Sequence, residues 1–178
     1  MTGVQTCALP IYQGGLFGGI ETPAPRPGLT VPSRFMSLAS DVACFDSDEK
    51  WPLLYRILYR LKKENRHLLA IESDTDVRRA LIMRKAVKRD IHKFHAFVRF
   101  RSVEVEVKEV FTAWHEPHHW TVKAATPFFA RRFGTMHLSI LTPKGCAHWD
   151  LNELSFSPGV TREDAPQEDA TEDFWLAY

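Results

Sequence analysis

The chain has 178 residues, enough for one domain with a sizeable core, and an ordinary make-up of 44% hydrophobic and 25% charged residues. Its formal charge of +1 hides an asymmetry: residues 51–101 hold 14 Lys and Arg against 5 Asp and Glu, a local +9, so the remainder carries −8. Three cysteines (Cys7, Cys44, Cys146) without CxxC spacing exclude a disulfide scaffold or zinc knuckle, and no long apolar run or signal-peptide pattern occurs, so a reducing, cytoplasmic setting with no membrane contact is expected.

In chain order, Met1–Tyr12 (MTGVQTCALPIY) resembles a translated sequencing adapter and is set aside from fold reasoning. Residues 13–32 contain five Gly and four Pro, which makes 13–31 a linker ahead of a single domain spanning 32–178. Helical spacing of Phe35, Leu38, Ala39 and Val42 marks Ser33–Phe45 as a helix. Asp46-Ser47-Asp48-Glu49 resembles a capping box opening a second helix, with Trp51, Leu54, Tyr55, Leu58 and Leu61 on one face. Glu72-Ser73-Asp74 starts a long helix to about His95 that buries Val77, Ala80, Val87, Ile91 and Phe94. The period then falls to two: Phe97–Val107 reads as a strand and Val110–His115 as its partner.

Thr126–Phe133 suits a short helix with Pro127 in its first turn. Strands at Leu138–Leu141 and Cys146–Trp149 flank a turn at Pro143-Lys144-Gly145, with a third at Leu154–Phe156. Glu168–Tyr178 begins a helix that stops without a cap, so the domain is expected to be truncated at its C-terminus. Helices first, one of them long and basic, then a small mostly antiparallel sheet with attached helices, make an α+β domain.

The long helix is the first constellation that could carry function. Arg84, Lys88, His92 and His95 recur at spacings of 4, 4 and 3 and form one stripe, which Lys85, Arg89 and Lys93 widen. Such a stripe can neutralise successive phosphates of a nucleic acid, although a solvated helix face has the same composition. Arg99 and the pair Arg131-Arg132 would extend the contact, and Trp114 or Trp149 could stack on a base. His115-Glu116-Pro117-His118-His119 spells H-E-x-x-H, but Pro117 and the strand-like residues before it are incompatible with the continuous helix a zinc protease needs. A polar centre from Glu116, His119 and Asp150, with or without a metal, is the catalytic alternative. No phosphate loop, nucleophile elbow or dinucleotide fingerprint is present, so no cofactor is implied.

These motifs bring a family into view. The run from Leu53 to Arg101, Trp114-x-Glu116-Pro117-x-His119, PFFARRF, SILTP and AHWD resemble a bacterial domain of unknown function. That domain occurs fused ahead of X-type uracil-DNA glycosylases. It also stands alone as a DNA-metabolism protein paired with a radical SAM protein of DNA modification or repair. The resemblance spans roughly Val31 to Tyr178. It implies DNA as ligand, and as partner a glycosylase domain of the same full-length chain or the radical SAM protein. It places any glycosylase pocket outside this sequence. Family-matching positions include Lys85, Arg89, Asp90, His92, Lys93, Glu116, His119 and Asp150, whereas His115 is not among them. Three readings follow: a DNA-binding accessory domain, an enzyme centred on Glu116, His119 and Asp150, and a docking module whose surface is the aromatics near Trp51 or the acidic end.

Overall fold

The structure, a computed structural model, describes residues 30–105 and 108–164. The adapter-like segment 1–12, the linker up to residue 29 and the helix expected at 168–178 lie outside the described residues. Helix α1 (Ser33–Ala43) buries Phe35, Leu38 and Val42, and α2 (Lys50–Lys63) buries Leu53, Leu54, Ile57 and Leu61. A single 3-10 turn (Leu68–Ala70) leads to α3 (Thr75–Phe97), whose start is capped by Asp74 accepting from the amides of Asp76 and Val77. At 23 residues, α3 is about 35 Å long.

That length lets α3 serve two cores. Its first half contributes Val77, Ala80 and Met83 to a cluster with α1 and α2, and its second half contributes Phe94 to a cluster beneath the sheet. The strands are β1 (Arg101–Val105), β2 (Lys108–Trp114), β3 (His137–Leu141), β4 (Cys146–Trp149) and β5 (Leu154–Ser157), paired in chain order. All neighbours are antiparallel except β2 and β3, which are parallel and joined by the crossover helix α4 (Val122–Arg132). Among the described residues, four α-helices and five strands make an α+β fold, as expected. The described residues contain no helix long and apolar enough to cross a membrane.

Several local expectations are corrected. Trp51 and Tyr55 do not face the core: they are 55% and 69% exposed and, with Tyr59, form an outward stripe at i, i+4, i+8. The buried arc of α2 is already filled by its leucines and Ile57. The capping box does not form; Glu49 is the N-cap residue without a side-chain bond, because Asp46 is drawn to Trp120 and Lys144 instead. Helix α3 runs through Phe97, and Arg99 folds back to donate to the carbonyls of Ala96 and Val98 at its end, so the strand starts only at Arg101. Helix α4 starts at Val122 and encloses Pro127, which costs it the N–H that would have met the Lys123 carbonyl.

One glycine fixes a wall of the sheet. A Cβ on Gly159 would lie 2.2 Å from the Pro143 carbonyl oxygen, and Val160 N–H donates to Thr142 O (3.1 Å), so the segment after β5 is pressed backbone-to-backbone against the β3–β4 turn. Gly159→Ala is expected to lower stability by about 1–3 kcal/mol, measured by urea unfolding. An unchanged midpoint would mean that this contact can open freely.

Candidate nucleic-acid interface

The candidate site starts from a single acid on a basic helix. Asp90 falls on the inward face of α3 between Val87 and Phe94 and is 5% exposed. Its Oδ1 accepts from His118 N–H (3.2 Å), and its Oδ2 accepts from His119 N–H (3.1 Å) and the Thr121 hydroxyl (2.9 Å). A buried carboxylate is tolerable only when it is fully hydrogen-bonded, and here the bonds come from the loop that leads into α4. Asp90 therefore clamps residues 118–121 onto α3 and holds the start of α4, which has no side-chain cap of its own.

A second knot ties the same loop to two other connections. Lys144, in the β3–β4 turn, donates to Asp46 Oδ2 and to the His118 carbonyl, and Trp120 Nε1 donates to Asp46 Oδ1 (2.8 Å). The bond from Lys144, then that from Trp120, holds the Asp46 carboxyl below its usual range. Asp46 N–H also donates to His119 Nδ1 (3.3 Å), and the His119 ring lies 4.5 Å from that of Phe45. Burial pushes His119 below the ordinary histidine range. Nδ1 is thus an acceptor and Nε2 carries the proton of the neutral ring.

Between α3 and this loop lies a cleft of ≈ 420 Å³, lined by Asp46, Ala86, Arg89, Asp90, Lys93, His118 and His119. Its two acids are already engaged, Asp90 by the loop and Asp46 by Lys144 and Trp120. Arg89 and Lys93 are exposed and have no ion-pair partner among the described residues. The cleft wall on α3 is therefore cationic.

The stripe expected from sequence is divided. Arg84 bonds Asp41 of α1 (2.8 Å) and Lys88 approaches the same carboxylate (3.7 Å), so these two are partly spent on packing α1 against α3. His95 turns inward: Nε2 is 3.0 Å from Ala125 O and its ring stacks on Phe128 at 4.3 Å. Lys85, Arg89, His92 and Lys93 remain exposed along the adjoining arc. Arg131 and Arg132 are exposed in the last turn of α4, about 15 Å along that helix from the cleft. Arg99 is occupied by the carbonyls at the end of α3.

The two expected stacking platforms are also committed. Trp114 donates to Glu116 Oε1 (3.0 Å) beneath the Arg162 guanidinium (5.4 Å), and Trp149 donates to Gly134 O (3.2 Å) while packing on the core. Glu116, His119 and Asp150 are not brought together. Trp114 pairs in register with Leu141, whereas Trp149 pairs with Leu138, so Asp150 lies beyond the opposite end of the strands, about 10 Å or more away. There its carboxylate receives the amides of Asn152 and Glu153 in a local turn, and the Glu153 amide is the main cause of its lowered pKa. Among the described residues no group of three His, Cys, Asp or Glu could hold a metal.

His115 of the apparent H-E-x-x-H lies in the extended segment after β2, its N–H bonded to Leu141 O (3.1 Å) and its ring 4.3 Å from Phe94. Nε2 is buried with no hydrogen-bond partner, and burial lowers the ring's pKa. A lowered histidine pKa means that the unfolded chain binds the proton more readily. Stability from the neutral ring is present above about pH 6.5 and is lost as pH falls through the lower folded value. His115→Leu is expected to raise or preserve the melting temperature at pH 7.5 and to flatten its fall between pH 7 and pH 5, as read by thermal melts. A fall as steep as that of the parent would place the acid sensitivity elsewhere.

The residues that sequence reasoning passed over are Asp90 as an anchor, and Asp46, Trp120 and Lys144 as the knot beside it. Asp90 carried a usable signal, since a lone acid at the inward helical phase of Val87 and Phe94 must be buried. The knot joins positions up to 98 residues apart and carried none.

The sequence matches a protein family described as a domain of unknown function, DUF4130, over residues 48–178. Comparison with curated proteins gives no match, and comparison with solved structures gives none either.

Proposed function

We propose that this chain, which belongs to the DUF4130 family, is an accessory domain of DNA metabolism that binds the nucleic-acid backbone through α3 and the cleft beside it. One observation carries the reading: Arg89 and Lys93 stand exposed on a cleft whose acids are already hydrogen-bonded elsewhere, with Lys85 and His92 continuing the arc. Lys and Arg side chains without ion-pair partners among the described residues, on one helical arc, suit a polyanion, and such contacts are sequence-independent and salt-sensitive. The family resemblance supplies the context of base repair or modification, with a glycosylase domain or radical SAM protein as partner.

The test is a titration of the protein against single- and double-stranded DNA, with and without uracil, at two salt concentrations. Binding that weakens steeply with salt is expected. Absence of binding at low salt would overturn the reading. It would favour the docking module instead, for which the outward stripe Trp51, Tyr55 and Tyr59 is the specific observation and the glycosylase or radical SAM protein the occupant. The catalytic alternative loses its basis as a three-residue centre, since Asp150 stands at the far end of the sheet from His119.

A further inference from the structure

A second cleft, of ≈ 380 Å³, adjoins the first across the segment His118–Trp120. His118 and His119 line the first cleft and Trp120 lines the second. Lys144 links the two: it lines the second cleft and bonds Asp46 and the His118 carbonyl, which belong to the ridge of the first. Phe156 of β5 lines the second cleft together with Trp120. These rings are 50% and 40% exposed, unlike the expected platforms Trp114 and Trp149, which are only partly accessible.

Exposed aromatic rings in one concavity are costly to leave in water, and each here carries an ammonium group. Lys144 Nζ is 5.4 Å from the Trp120 ring centre and Lys123 Nζ is 5.4 Å from that of Phe156. Lys144 is already paired with Asp46, whereas Lys123 is exposed and has no ion-pair partner among the described residues, so the two apolar rings with Lys123 match the chemistry of a nucleotide, a flat base attached to an anionic phosphate. The cleft is held in shape by contacts that do not depend on a ligand. The Trp120 indole is tethered to Asp46, and the wall at Gly159 abuts the Pro143 carbonyl.

We infer that Trp120 and Phe156 receive a single unpaired nucleobase whose strand is held by the cations of the neighbouring cleft. This rests on the backbone-binding reading and narrows its ligand. Bases within a duplex are stacked on each other about 3.4 Å apart and cannot present a face to these rings. The occupant is therefore a base of a single strand or one turned out of the helix.

The experiment measures anisotropy of a labelled short oligothymidylate, an abasic strand of equal length and a duplex, with the full chain and with Trp120→Leu and Phe156→Leu. The full chain is expected to prefer the base-bearing strand over the abasic one by about tenfold. Phe156→Leu should abolish that preference while leaving abasic-strand affinity and its salt dependence unchanged. Trp120→Leu should abolish the preference as well, but also lower abasic-strand affinity, because it releases one oxygen of Asp46 into the first cleft. Phe156 lies on an edge strand with its side chain exposed, so its variant keeps the test valid should Trp120→Leu fail to fold. Equal, salt-sensitive binding of base-bearing and abasic strands, or of single strand and duplex, would overturn the inference and leave backbone binding standing. So would a preference that survives Phe156→Leu. Failure of every strand to bind at low salt would overturn both.

Discussion

Asp90→Ala is expected to lower the unfolding free energy by about 3–5 kcal/mol. The carboxylate is 5% exposed and takes three donors: the amides of His118 and His119 and the hydroxyl of Thr121. Removing it leaves those donors facing a void inside the protein, and each unsatisfied group costs about 1–3 kcal/mol before relaxation. Asp90→Asn separates charge from shape. Its amide oxygen can keep one side of the clamp, but its NH₂ group confronts a donor where the second oxygen had been, so a loss of about 1–3 kcal/mol is expected. Urea unfolding measures both. An unfolding free energy for Asp90→Ala within about 0.5 kcal/mol of the parent would show that the loop is held by Lys144 and Trp120 alone.

The consequence would reach beyond stability. His118 and His119 line the first cleft and Trp120 the second, and all three hang from the segment that Asp90 clamps. A protein with Asp90→Asn that remains folded should therefore bind DNA with reduced base preference before it loses salt-sensitive backbone affinity. Arg89 and Lys93 stand on α3 itself and do not depend on the loop for their position.

What could be read from sequence, and what could not, divides along the range of the interactions. The helical period of Phe35, Leu38 and Val42 and the Asp74 cap are local signals, and α1 and α3 begin where they placed them, whereas the alternation from Phe97 overshot, since α3 runs through Phe97 and β1 starts only at Arg101. The charge block on α3 was visible in the same way. The start of α4 was not, because Asp90 holds Thr121 from 31 residues away, while Pro127 gave a strong but misleading start signal at the sixth helical position. Asp46 looked like a cap because caps are read locally, yet a lysine 98 residues on took it. Trp114 and Trp149 lay within conspicuous motifs and proved to be engaged, whereas Trp120 and Phe156 had no motif, and only the tertiary fold brings both to the lining of one cleft.

The division of the basic stripe gives a decisive contrast for DNA binding. Arg89→Glu with Lys93→Glu reverses two cations that have no ion-pair partner among the described residues. If both contact phosphates, the slope of log affinity against log salt should become shallower by about two units on duplex and about one and a half on single strands. Stability should change little, since both side chains are exposed. Arg84→Glu with Lys88→Glu is the matched control, equal in charge change and only one helical turn away. Here the new carboxylates would face Asp41, so the cost should appear in the melting temperature through the α1–α3 contact, and the salt slope should shift by about one unit or less. Equal slope changes for the two pairs would mean that the strand follows the whole stripe along α3 rather than the arc beside the cleft. A change confined to Arg84 and Lys88 would move the interface to the α1 side of the helix and detach it from both clefts.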